Sequence, residues 1–123
     1  MIYKIIQMLE LFILVISRNF RYYKNRFKLK NSVQIHHIIP RQYKSHPVIL
    51  TSGYSIEENS NLMMLPSAPN RNTSRLVHNG GHAKYNEYIQ TKLDTFSSVD
   101  EILTLKNTLK QYIRKGDQSL PWK

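Results

Sequence analysis

Cysteine is absent from the 123 residues, which removes disulfides, thiol catalysis, thiolate zinc knuckles and iron–sulfur ligation together. The five histidines are then the only soft metal donors worth counting. Acidic residues are also scarce. Eight Asp and Glu stand against 18 Lys and Arg, a net charge of +10, so a polyanion or an anionic surface is the expected partner. The N-terminal apolar stretch lacks the length of a membrane span: its longest uninterrupted run, Leu11 to Ile16, falls far below the roughly 20 residues required. A signal peptide could start at Lys4 and use the same run, but no small-x-small cleavage site follows it. An intracellular location is therefore favoured, with secretion as the alternative. Internal repeats and low-complexity tracts are missing as well. The composition is otherwise ordinary, 41% hydrophobic and 21% charged, and fits one domain with a modest core.

The positive charge is concentrated. Residues 1–46 carry nine Lys and Arg against Glu10 alone, and the remainder is nearly balanced. In RNFRYYKNRFKLK, Arg18, Arg21, Lys24, Arg26, Lys28 and Lys30 alternate with Phe20, Tyr22, Tyr23 and Phe27. Cations follow phosphates and aromatic faces stack on unpaired bases, so the segment suits nucleic acid; the competing reading is a helix whose rings enter a core. Ahead of it, Ile2, Ile5, Ile6, Leu9, Phe12, Ile13 and Ile16 fall at helical spacing. Residues 1–31 thus form a hydrophobic, then basic, helical extension, for which contact with a membrane surface is a further reading.

From residue 32 to 96 the pattern is mixed. VQIHHII, residues 33–39, is β-branched and stopped by Pro40, which predicts a short strand with a histidine pair at its end. Tyr43 to Gly53 reads as a loop holding the apolar Val48, Ile49 and Leu50. Ser55 and Glu58 have capping-box spacing, so a helical turn is expected there. NLMML, residues 61–65, reads as a second strand, and PSAPNRNTSRL, residues 66–76, as a loop carrying Arg71 and Arg75. Helix is expected from Gly81 to Phe96, with Tyr85, Tyr88, Ile89 and Leu93 on one side. The last segment, 97–123, holds a clearer helix: Ser98 and Glu101 make a capping box, Val99, Ile102, Leu105, Leu109 and Ile113 a stripe, and Gly116 an end.

Chemistry is carried by the histidines. If His78 and His82 share a helix, their rings lie one turn apart on one face and can chelate one ion. Either His36 or His37 can supply a third ligand. Neighbours in a strand point to opposite sides, so the other ring is left to take a proton from water while a metal stabilises charge on phosphate oxygens. His46 is read as structural, and Tyr85 as a core aromatic.

IHHIIPRQYKSHP, GYSIEENSNLMMLP and VHNGGHAKYNEYI, between Val33 and Leu93, together resemble the AHH-type nucleases of the HNH and endonuclease VII superfamily. The resemblance implies an α+β fold, a small ββα-metal nuclease core with flanking N-terminal and C-terminal helices. It implies His36, His78 and His82 as metal ligands, His37 as general base, and Asn61 as the residue that braces the loop between the strands and orients the base. Ile35 stands where the family's Ala would, and Leu62 follows Asn61 where Gly is frequent.

The resulting expectation is a metal-dependent endonuclease hydrolysing phosphodiester bonds, with DNA favoured over RNA. Arg41, Arg71, Arg75 and Lys84 are expected at phosphate. One divalent ion is expected, zinc or nickel by ligand type, with magnesium and manganese retained. A homodimer through the first or last helix is compatible with the pattern. The rival class is a non-catalytic nucleic-acid-binding module in which all four histidines close around a structural metal.

Overall fold

A computed structural model describes residues 33–68, 74–78 and 80–123. The helical extension expected over residues 1–31, its basic aromatic segment and Arg71 lie outside the described residues. Strand β1, Val33–His37, alternates as its β-branched pattern requires: Val33 and His36 are buried and Gln34 is exposed. It pairs antiparallel with β2, Leu62–Pro66, in a register that sets Val33 opposite Pro66 and His37 opposite Leu62. β2 is buried from Met63 onward, and Met63 and Leu65 join the main core. β1 ends two residues earlier than expected. The Ile38 amide still donates to the Asn61 carbonyl (2.8 Å), so the chain peels away only as it nears Pro40.

The connection between the strands holds more structure than expected. In place of a plain loop, Pro47–Ser52 forms a short helix, α1. Pro47 occupies the first helical turn, where its missing N–H costs nothing. His46 caps it, its Nδ1 accepting from the Val48 amide (3.2 Å), and Gly53 closes it in the left-handed region at φ 74°. A turn follows Ser55 at residues 56 and 57, as anticipated, and a 3-10 helix then spans Asn59–Asn61, without a side-chain cap from Glu58. A second 3-10 turn spans Arg41–Tyr43.

Helix α2, Ala83–Leu93, buries Tyr85, Ile89 and Leu93 at four-residue steps, a single stripe against the sheet. It is shorter at both ends than the expected Gly81 to Phe96. Helix α3, Val99–Lys115, has the full capping box between Ser98 and Glu101 and buries Ile102, Leu105, Leu109 and Ile113. Acidic residues stand in its first turn and basic ones in its last, each favourable to the helix dipole. The core runs through Ile38, Ile39, Met63, Leu65, Tyr85, Ile89 and the α3 stripe. The arrangement is α+β: a two-stranded sheet followed by helices. No helix among the described residues is long and apolar enough to cross a membrane.

Candidate metal centre

Three separate pieces of chain meet at one point. β1 delivers His36, only 1% exposed, with its ring turned toward the helices. The Pro66 carbonyl at the end of β2 accepts the His78 amide (2.8 Å), which fixes His78 beside the strand. His82 is the N-cap of α2, yet its side chain makes no capping bond; it bonds to the Gly80 backbone instead, which leaves its other ring nitrogen for a further partner. One ring nitrogen from each residue lies within 4.8 Å of the other two. The ring centroids are 4.8 to 5.3 Å apart. His78 and His82 do not share a helix: the regular turns begin at Ala83, in keeping with the cost of Gly80 and Gly81 in a helix interior.

Two polar atoms of this cluster are buried without a hydrogen-bond partner, His36 Nε2 and His78 Nδ1. Such orphans are rare and call for an explanation. Burial, reinforced by the neighbouring imidazoles His78, His82 and His37, holds His36 well below the ordinary imidazole value. Burial also lowers His78, with His82 adding to the effect, and burial lowers His82. All three are thus neutral near pH 7 and offer lone pairs, the form a divalent ion needs. The donor set fits a transition ion.

His37 points away from this cluster and is part-exposed. Its Nε2 lies 3.2 Å from Glu57 Oε2, and Arg41 forks onto the same carboxylate through Nε (2.7 Å) and Nη2 (3.2 Å). The Arg41 contact, with lesser help from His37, pulls the Glu57 carboxyl down to about 2. An ionised carboxylate can only accept, so the His37 proton sits on Nε2 and the Nδ1 lone pair is the basic one. Glu57 escaped the sequence reading because it is one of two adjacent acids in a polar turn.

Asn61 is fully buried. Its Oδ1 accepts from the Ile39 amide (2.9 Å) and the Tyr54 hydroxyl (2.7 Å), while Nδ2 donates to the Ile39 and Ile56 carbonyls (3.1 and 2.7 Å). One side chain therefore ties both ends of the inter-strand connection to the strand that carries the histidine pair. The Tyr85 hydroxyl adds a bond to the Ile38 carbonyl (2.5 Å). His46 is engaged structurally, donating to Asp94 (2.8 Å) while it caps α1.

The cations expected at phosphate fare differently. Lys84 is exposed beside His82. Arg41 is exposed but committed to Glu57. Arg75 is only 6% exposed and donates Nη1 to the Met64 carbonyl (2.9 Å). Its guanidinium braces β2 from inside the fold and also lines the cleft beside Trp122. Trp122 was not anticipated as a site residue. Its indole stacks on His82 (5.2 Å, 19°), lies 5.1 Å from His36 and donates to the Val77 carbonyl (2.8 Å). That it is the chain's single tryptophan was the available signal.

Two antiparallel strands and a following helix that together present three imidazoles define a ββα-type site. Residues 19–117 match the AHH family, a nuclease family of the HNH/ENDO VII superfamily with conserved AHH, and the chain belongs to that family. No curated protein and no solved structure matches it.

Proposed function

We propose that the protein is a divalent-metal-dependent endonuclease that hydrolyses nucleic-acid phosphodiester bonds, with DNA the preferred substrate. The observation that carries this reading is the pair of partnerless buried nitrogens on His36 and His78 facing His82. Together these three residues would hold one ion, which supplies positive charge to stabilise the phosphate oxygens as negative charge builds on them. His37 Nδ1 takes the proton from the attacking water, whose oxygen bonds to phosphorus as the bond to the leaving oxygen breaks. Glu57 holds the opposite nitrogen protonated and so fixes the tautomer. Asn61 keeps β1 and its connection in register, and Lys84 meets phosphate; Arg41 reaches phosphate if it exchanges its fork on Glu57 for the substrate.

The rival reading, a closed structural site of four histidines, is disfavoured because His37 stands outside the ligand group and is engaged by Glu57. Plasmid and RNA incubated with chelated and metal-reloaded protein test the reading. Cleavage is expected only after reloading. His37→Ala should bind metal and fold but lose cleavage by about 100-fold or more, whereas His82→Ala should lose both metal and cleavage. A metal-loaded His37→Ala protein that cuts at the native rate removes the assigned base.

A further inference from the structure

Beside the metal centre lies a cleft of about 620 Å³. Its wall includes Ser74, Lys84, Gln118, Ser119, Trp122 and Lys123. Of these residues the proposed hydrolysis uses Lys84 alone, at phosphate. The cleft is nevertheless joined directly to the ligands: Lys84 lies two residues beyond His82, and Trp122 stacks on His82 while bonding to the carbonyl of Val77, next to His78. The C-terminal tail therefore brings a large aromatic surface to the edge of the site, held in place by Leu120, which is buried in the core.

The lining matches one ligand chemistry. A tryptophan ring next to exposed ammonium groups suits a flat base with an attached phosphate, because an aromatic face stacks on any base whose own face is unpaired. The volume lies within the range of ligand sites, roughly 300–1,000 Å³. The net charge of +10 supplies the long-range attraction.

We propose that this cleft seats an unpaired nucleotide of the substrate strand adjoining the phosphate that is cut, with its base against Trp122 and its phosphate at Lys84. The proposal rests on the nuclease reading, and it makes single-stranded or locally opened nucleic acid the substrate form this site prefers. Paired bases keep their faces stacked on each other and cannot meet the indole.

Because Trp122 is the only tryptophan, its emission reports on the cleft directly. The full-length chain, loaded with zinc and carrying His37→Ala so that the strand stays intact, is titrated at low salt with a short single-stranded oligothymidylate. The matching duplex and inorganic pyrophosphate serve as comparisons. A saturable change in emission with the single strand is expected, weaker with the duplex and absent with pyrophosphate. Adding Lys84→Glu should weaken single-strand binding by on the order of tenfold and flatten its salt dependence. Gln118→Glu, an exposed change on the same wall, should weaken it in the same direction. No emission change, an equal response to duplex or pyrophosphate, or unaltered affinity in both charge variants overturns the cleft assignment. Plasmid cleavage by the metal-reloaded native chain is read separately. Cleavage without an emission response removes the cleft and leaves the nuclease; a response without cleavage under any ion removes the nuclease and leaves the cleft as a binding site.

Discussion

At the scale of single residues, Asn61 carries four hydrogen bonds on one fully buried side chain. Four partners, two from Ile39 and one each from Ile56 and Tyr54, depend on one carboxamide from which water is excluded. Asn61→Ala should therefore destabilise the fold by about 2–4 kcal/mol, since several buried groups lose their partner together. Urea unfolding monitored by circular dichroism measures this, and a loss below about 0.5 kcal/mol would show that the network carries no weight. The residue could be singled out beforehand only through the family resemblance. By itself an Asn before an apolar run is as consistent with a turn, and its satisfaction depends on carbonyls 5 and 22 residues away in the chain. Arg75 shows the opposite case. A cation in a polar stretch reads as surface, whereas Arg75 is buried with its Nη1 on the Met64 carbonyl, a partner 11 residues away.

At the scale of elements, the boundaries of α3 follow local rules. Ser98 and Glu101 satisfy the first amides, and Gly116 ends the helix at φ 67°, a conformation that side chains disfavour. Gly116 is also crowded: a Cβ there would drive into the Ser74 carbonyl oxygen. Gly53, at φ 74°, has open space around its missing Cβ. Gly53→Ala should thus cost only the left-handed penalty, about 1 kcal/mol, and Gly116→Ala at least twice that, because Ser74 must move and its hydroxyl bond to the Arg114 carbonyl with it. Equal losses in denaturation midpoint would contradict the steric argument. Capping boxes and glycine stops are legible because their partners lie within one turn. α1 was not legible for the same reason reversed. A histidine is an uncommon cap, Pro47 reads equally as a breaker, and the pull that makes Val48 and Ile49 helical is their burial in a core assembled from distant segments.

At the scale of the whole molecule, the three imidazoles link stability to pH and to metal. In the folded, metal-free chain, burial lowers all three below the usual 6.5, so they stay neutral while the unfolded chain takes up protons. The unfolded state then gains as pH drops, which means stability is complete above about 6.5 and falls as acidity increases below it. Thermal melting of chelated protein between about pH 8 and pH 5 should show a plateau and then a decline; a constant midpoint would show that the cluster is not desolvated. Glu57 adds a smaller loss at more acid pH, between its ordinary 4.5 and about 2, reduced by its exposure to solvent. Zinc at 100 times its dissociation constant should raise stability by about 2.7 kcal/mol at neutral pH, and His82→Ala should abolish that increment.

Composition and local pattern were enough to indicate a basic, thiol-free domain with short strands, a capped final helix and two histidine pairs, since charge, spacing and capping act between near neighbours. Which histidines meet was decided in three dimensions. The antiparallel register of β1 and β2, the His78 amide on Pro66 and the start of α2 at Ala83 bring together atoms more than forty residues apart. Trp122 enters the site by the same route, because Leu120 anchors the tail in a core to which α1, β2, α2 and α3 all contribute. Contacts of that range depend on closing the chain around a shared interior, and no window along the sequence contains both partners.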